Sequence, residues 1–584
     1  MDDPAMRQAD AAALAEAWLG RFGAALASGD AASAAALFDA EGHWRDILTL
    51  GWDIRTLSGR DAIAAALAAA MPRARVAGLA PLAGWPAPRR ATRAGVACIE
   101  AFFGLETAAG PVEAAVRLVE TPEGPKAWIL TTLLAGLPGH PPPEAVRHAN
   151  PEDYARQFGG ENWADRRRRA IAFEDREPAV LVVGAGQAGL AIAARLGALG
   201  VDTLVVDREA RIGDNWRRRY HALTLHNEVH VNHLPYLNFP PTWPVFIPKD
   251  KLANWFEFYA DAMELNVWTE TTLESGRRDA DDQGWEVVLR RADGSARLVR
   301  PRHIVFATGV SAIPVMPDLP GLTDFAGTVM HSGAYDTGAA WKDKPVLVLG
   351  TGNSAHDVAQ DLHASGARVT MIQRSPTHIV SIEEAQRVYA LYAEGMPLAA
   401  CDLLATATPL PVLRRAYQHA TAVSKRMDSE LHARLAARGF RLSDGIEGTG
   451  FQMLYLQRGG GYYFNVGCSD LIADGAIGLL QFDDIARFEA GGARMKDGTL
   501  REAALLVLAT GYLNQQEMVR RFLGEAVAER IGPVWGFGPD GELRNMWRPT
   551  PQKGLWFTAG SLAQCRIYSR PLALRIKAEE MGLV

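Results

Sequence analysis

Twice along this chain a short apolar run breaks at a glycine-rich turn and continues as a helix. That order commits each stretch to a parallel sheet with a crossover helix. The first copy runs from Ala179 to Val183, turns through Gly184, Ala185, Gly186, Gln187, Ala188 and Gly189, and continues as a helical stretch through Leu199. The first glycine permits the tight turn, the second lets backbone approach a pyrophosphate, and the third lets helix pack on strand. The next strand, Thr203 to Val206, ends at Asp207, 23 residues after Gly184, where a carboxylate accepts hydrogen bonds from an adenosine ribose. The second copy begins 166 residues later: a strand from Val346 to Leu349, the turn Gly350, Thr351, Gly352, Asn353, Ser354 and Ala355, then a helix to Ala364. Two bound dinucleotides follow. At the second site the carboxylate position is Gln373, followed by Arg374 and Ser375, which leaves room for a ribose 2′-phosphate. A charge-assisted arginine contact of about 1.5 to 3 kcal/mol favours NADPH over NADH, while Gln373 is expected to keep some NADH acceptance.

Strands at Ile304 to Ala307 and Leu505 to Ala509 run into Thr308-Gly309 and Thr510-Gly511, which read as chain crossings between two nucleotide domains, one inserted in the other. The expected fold is α/β: two Rossmann-like dinucleotide-binding domains with a helical insertion, preceded by a small α+β domain. The expected division is 1–140 for the α+β domain, 141–177 for a linker, 178–322 and 501–584 for the FAD-binding domain, and 323–500 for the NADPH-binding domain, including a helical insertion over 376–445. In the front domain two short helices, the second from Ala31 to Phe38, lead to strand-like runs at Gly95 to Leu105, Val112 to Val119 and Lys126 to Leu134. Proline-rich sequence from Pro138 to Pro151 closes it. With Asp30 and Trp44-Arg45-Asp46 where helices hand over to strands, this order resembles the cone-shaped domains of the nuclear transport factor 2-like group. His43 and Asp46 could pair as acid and base there, but capping or surface roles are preferred.

Charge and cysteine content remove other classes. Sixty-one basic residues against 67 acidic ones give −6, so no counterion-displacing surface for nucleic acid is expected, and Arg166 to Arg169 read as a solvated connector or helix face. Cys98, Cys401, Cys468 and Cys565 lie too far apart for a redox dithiol or a zinc knuckle, which argues against a flavin disulfide reductase and against a metal site. No apolar run reaches the roughly 18 to 20 residues of a bilayer span and the start lacks a signal peptide, so a cytoplasmic protein without a membrane partner is expected.

From about Pro178 onward the residues resemble the class B flavoprotein monooxygenases. Phe325, Gly327, His331 and Tyr335 fall in the pattern FxGxxxHxxxY, Gly213-Asp214-Asn215-Trp216 is similar to a Gly-Gly-x-Trp motif with Asp214 in place of the second glycine, and Leu508 to Tyr512 is similar to a distal Ala-Thr-Gly-Tyr. Tyr335-Asp336 stands where Baeyer–Villiger relatives carry Trp-Pro. The front domain, with His233 to Tyr236 and Arg458 to Tyr463, is most similar to the bacterial type II flavin-containing monooxygenases. That resemblance implies FAD and NAD(P)H as cofactors, O2 and a small ketone or sulfide as reactants, and Baeyer–Villiger oxidation or sulfoxidation through a C4a-(hydro)peroxyflavin. It also implies a homodimer built on the extra domain, and the absence of an apolar tail after Lys577 implies no microsomal anchor. Asn227 first and Asn232 second are the expected amide donors near the flavin, since an amide donates without titrating; capping of a turn stays open for Asn227. Arg458 is an expected oxyanion partner, with a structural ion pair equally open, and His331 with Tyr335 is read as coupling domain rotation to cofactor binding. Trp216 joins the glycine motifs, Asp207, Thr308-Gly309 and Thr510-Gly511 as expected cofactor contacts. An NADPH oxidase releasing hydrogen peroxide and a non-enzymatic flavin redox sensor are the competing readings.

Overall fold

A computed structural model describes residues 4–141 and 158–584; part of the expected linker, 142–157, lies outside them. Two parallel five-stranded sheets organise the larger part. The first has the order Val267–Trp268, Thr203–Val206, Val180–Val183, His303–Phe306 and Leu555–Phe557, and the second Thr328–His331, Leu505–Leu508, Pro345–Leu349, Arg368–Gln373 and Gly478–Gln481. Val180–Val183 and Leu505–Leu508 are buried at every position, as strands covered on both faces must be.

The chain leaves the first sheet after Phe306 and returns to it at Leu555, so one unit is inserted in the other. The return does not lie near Arg501. Leu505–Leu508 pairs with Thr328–His331 on one side and Val346–Leu349 on the other, so the second unit keeps this strand and the crossing falls at Thr510-Gly511. The outward and returning crossings run side by side: Val315 N donates to Gly511 O at 2.9 Å and Leu513 N to Ile313 O at 2.8 Å around a Pro314–Tyr512 bridge. Two strands crossing together make one hinge.

The helical insertion extends past 445. Helices at Ile382–Gln386, Leu398–Thr406, Leu410–Met427, Ser429–Ala437 and Gly450–Arg458 lie between His378–Ser381 and Tyr462–Asn465, and those two strands pair in parallel to close it. Inside the expected linker a capping box of Asn162 and Asp165 starts a helix, Trp163–Ala172. Arg166 to Arg169 therefore lie on that helix, with Arg167 donating to Leu265 O and Asn266.

The front domain differs in detail from the reading of its sequence. Its opening helix is one long element, Pro4–Ala27, and the second helix stops at Ala35, so Phe38 opens the strand Phe38–Ile47. An alanine-rich helix, Arg60–Ala74, escaped notice because eight of its fifteen residues are alanine and carry little amphipathic contrast. Seven strands form one mixed sheet, and Trp18, Phe22, Phe38 and Trp44 pack as a ring cluster against it. Asp46 is fully buried and accepts from the amides of Thr49 and Leu50 and from Arg55, a turn cap rather than an acid.

Ion pairs fasten this domain to the rest: Arg548 to Asp53 at 2.6 Å, Arg570 to Glu113 at 2.7 Å, Arg45 to Glu542 at 2.7 Å, and Arg93 to Glu394 at 2.6 Å. Arg117, buried on Glu100, also reaches Thr408 and the Leu404 carbonyl. A tethered module would carry few such contacts. No described helix is long and apolar enough to cross a membrane.

Candidate functional site

Both glycine turns stand at the carboxyl ends of their sheets, where ligands bind in open α/β folds. Gly184 and Gly350 hold φ of 110° and 129°, and a Cβ on either would sit 2.7 Å from Ala307 O or 2.5 Å from Ala509 O. Each turn thus lies against the Ala-Thr-Gly segment that follows the neighbouring strand. At Gly189 a Cβ would lie 1.8 Å from Gly184 O, so only glycine lets that helix close onto its strand. In the second unit the position is Ala355, fully buried. Gly186 and Gly352 cap the helices Gln187–Ala198 and Asn353–Ala364, whose first amides, including that of Ala188, have no helical partner.

The first site holds buried oxygen atoms without partners. Thr308 Oγ1 and Thr558 Oγ1 follow adjacent strands at its rim, and neither is hydrogen-bonded. Gly309 O accepts from Gln515, and Gln187 bridges the Gly560 carbonyl and the Trp216 indole, each at 3.3 Å. Asp207 takes the Ala185 amide at 2.6 Å and the Glu209 amide at 2.9 Å, and burial raises its pKa. An adenine dinucleotide fits this donor set: a pyrophosphate against free amides and a ribose against a carboxylate.

At the second site Gln373 does not face outward. It is fully buried, accepts from the Arg441 amide at 2.8 Å and donates to the Arg441 carbonyl at 2.9 Å. The expected contact from Gln373 to an unphosphorylated ribose is therefore replaced by a structural one. Its effect is to bring Arg441 beside the exposed Arg374 and Ser375, with Arg441 Nη2 on the Arg374 carbonyl at 2.7 Å and its Nε buried without a partner. Arg441 is 68 residues from Gln373, and no motif announces it. Asn353 accepts from the Phe464 amide, Ser354 is half-buried, and Thr510 Oγ1 donates to the Val315 carbonyl at 2.6 Å.

His331 is clasped at both ring nitrogens. Nδ1 accepts from the Gly333 amide at 3.0 Å and Nε2 meets Gly511 O at 3.1 Å, so the neutral ring ties the second unit's edge strand to the returning crossing. Burial lowers its pKa. Tyr335 donates to Asp361 at 2.5 Å, fastening the same segment to the helix Asn353–Ala364.

Asn227 lies on Thr224–Glu228 and is half-buried. Gln386, from the insertion, donates to the His226 carbonyl at 2.7 Å and accepts from the Glu228 amide at 3.3 Å, clamping the backbone on both sides of Asn227. Asn232 is 1% exposed and donates to the Asn227 carbonyl at 2.9 Å, which makes it a brace for the loop rather than a second donor. His226 is exposed by area, with the Phe464 ring 4.8 Å from its own on one side, and the protein around it lowers its pKa. Arg458 ends the helix Gly450–Arg458, with its side chain exposed and Gly459 closing the turn. All four cysteines are free and buried, and among the described residues no His, Cys, Asp or Glu cluster could hold a metal.

Residues 181–391 match the family described as pyridine nucleotide-disulphide oxidoreductase. Indole-3-pyruvate monooxygenase YUCCA1 of Oryza sativa subsp. japonica is 37% identical over 223 residues, 38% of this chain and 53% of that protein. Indole-3-pyruvate monooxygenase YUCCA4 of the same organism is 34% identical over 219 residues, 35% and 49%. Over this region the chain is similar to indole-3-pyruvate monooxygenases. The chain spans about half the length of these curated relatives. A crystal structure of cyclohexanone monooxygenase with ε-caprolactone matches 69% of this chain and 88% of its own at a TM-score of 0.51 and 18% identity, a likeness of fold. The separated, buried cysteines set the chain apart from the disulfide chemistry in the matching family's description.

Proposed function

We propose that the chain is an NAD(P)H-dependent flavin monooxygenase that transfers one oxygen atom from O2 to a small organic substrate, a ketone or a sulfide. The observation that carries this reading is the pair of equivalent glycine turns at the ends of two sheets, joined by a paired hinge, with no dithiol among the described residues. FAD would occupy the first site, held by Gly184 to Gly189, Asp207, Trp216 and the Thr308-Gly309 rim. NADPH would occupy the second, held by Gly350 to Ala355 and Thr510-Gly511, with Arg374, Ser375 and Arg441 around the 2′-phosphate. Bound together, these cofactors supply a hydride to the flavin and the electrons that activate oxygen.

The protein's own residues hold and shield that reaction. The Asn227 amide, fixed by Gln386 and Asn232, donates hydrogen bonds without titrating. His331 transmits movement of the second unit to the hinge through Gly511. The front domain serves as a nuclear transport factor 2-like scaffold. The test is anaerobic: the purified yellow protein should lose its visible flavin absorbance with NADPH much faster than with NADH. Failure to retain flavin through gel filtration, or to be reduced by either nucleotide, would refute the reading.

A further inference from the structure

A cleft of about 860 Å³ opens where three parts of the chain meet, within the range of small-molecule sites. The front domain contributes Glu41, His43 and Ser58, the insertion contributes Arg414 and Arg415 of the helix Leu410–Met427, and the turn Pro539 to Gly541 closes it. No residue of either glycine turn lines it. His43 is 6% exposed, and its Nδ1 meets Ser58 Oγ at 2.8 Å. Its Nε2 has no hydrogen bond among the described residues and is not closed off by protein, so that nitrogen opens on the cleft the ring lines. Burial first and Arg415 second lower the pKa of His43, which keeps the ring neutral near pH 7. With Nδ1 accepting from the Ser58 hydroxyl, the one ring proton sits on Nε2 as a donor into the cleft.

Arg414 and Arg415 differ from the arginines that fasten the domains together. Arg548 and Arg570 reach their carboxylates at 2.6 and 2.7 Å, whereas Arg414 lies 3.5 Å from Glu447 and Arg415 3.8 Å from Glu41. Neither of these two guanidinium groups donates a hydrogen bond among the described residues, so both forks are open to a ligand. They sit near the start of a helix that has no side-chain cap, and its dipole adds positive potential at the same end. The helix Arg60–Ala74 also begins at the cleft, from Gly59, and it too has no side-chain cap. Of the two carboxylates on the cleft, Asp540 is neutralised by Arg548 at 2.5 Å, and Glu41 is exposed to water, which leaves two cations against one acid. Leu410, Pro411 and Pro539 give the cleft an apolar side.

We propose that this interdomain cleft binds a small organic anion, with its carboxylate or phosphate held by Arg414, Arg415 and His43 and its apolar body against Leu410, Pro411 and Pro539. The site is separate from the two nucleotide sites and does not depend on the monooxygenase reading. An anion bound there bridges the front domain and the helical insertion, and so stabilises their contact by mass action.

The test uses the FAD-loaded full chain in low-chloride buffer, titrated calorimetrically with benzoate, with phenyl phosphate and with the neutral benzamide. At least one of the two anions should bind at a single site per chain, about tenfold or more tightly than benzamide, and the one that binds better identifies the head group. Saturating NADP+ should leave that affinity within about twofold, as expected of a site away from the nucleotide turns. Arg414→Gln and Arg415→Gln, at exposed positions with no hydrogen bond to lose, should each weaken binding by about three- to tenfold, and Arg415→Lys should recover part of it. Binding of neither anion, undiminished binding in the Arg414→Gln, Arg415→Gln double variant, or displacement of the anion by NADP+ would overturn the proposal.

Discussion

The two dinucleotide units share a plan and differ where the plan leaves freedom. Each has a parallel five-stranded sheet, a glycine at large positive φ after one strand, and a helix that starts from a second glycine with no side-chain cap. After the next strand the first unit carries Asp207, tied to the amides of Ala185 and Glu209; the second carries Gln373, which turns inward to hold Arg441. Six residues after the leading glycine the first unit has Leu190 and the second His356, both fully buried. Backbone geometry makes a nucleotide site, and the side chains at the rim choose which nucleotide.

The harshest way to break this comparison is at the closest packing point. Gly189→Val places atoms where even a Cβ would lie 1.8 Å from Gly184 O, so the protein should be recovered without flavin and with a strongly lowered Tm. Ala355→Val in the second unit should leave the flavin in place and weaken NADP+ binding, read by titration of the yellow protein.

The helix pair makes a prediction about acid. His356 stacks on Tyr463 at 3.9 Å with its Nε2 unpartnered, and burial lowers its pKa to about 4. The native state refuses a proton that the unfolded chain takes below about pH 6.5, so this stability is present above that pH and is lost as pH falls toward 4. His356→Leu, which installs the first unit's residue, should flatten the decline of denaturant stability across that window by on the order of 3 kcal/mol. Asp357, raised to about 6 by burial, loses stability as pH rises through the same window and opposes the histidine without cancelling it in the difference between variants.

Arginine at the second rim sharpens the cofactor contrast. Arg374→Ala and Arg441→Ala should each lower the preference for NADPH over NADH by about tenfold, and binding of adenosine 2′,5′-bisphosphate should fall in parallel. Gln373→Leu should produce part of the Arg441 effect without touching the nucleotide. The smallest effect is expected at the clamp: Gln386→Leu should raise the share of NADPH spent as hydrogen peroxide a few-fold, about 1 kcal/mol of lost positioning.

Local chemistry was readable in the sequence where one segment contains all of it. The glycine turns, the buried strands and the Asp207 position follow from spacing alone. The return to the first domain was misplaced because Leu505–Leu508 is apolar on both faces, and such a strand fits either sheet until pairing decides. Gln386 and Arg441 escaped because each acts on a residue far along the chain, 160 and 68 positions away. Asn232 looked like a donor and proved a brace, since nothing local distinguishes an amide aimed at a ligand from one aimed at its own loop.

The central claim is that two nucleotide sites on one hinge drive oxygen transfer. It is tested most directly by the stoichiometry of NADPH consumed, oxygenated product formed and hydrogen peroxide released when the FAD-loaded protein turns over with cyclohexanone or thioanisole. The account predicts close to one product per NADPH with at least one of the two, and little peroxide. Peroxide equal to the NADPH consumed, with no lactone and no sulfoxide, would contradict it.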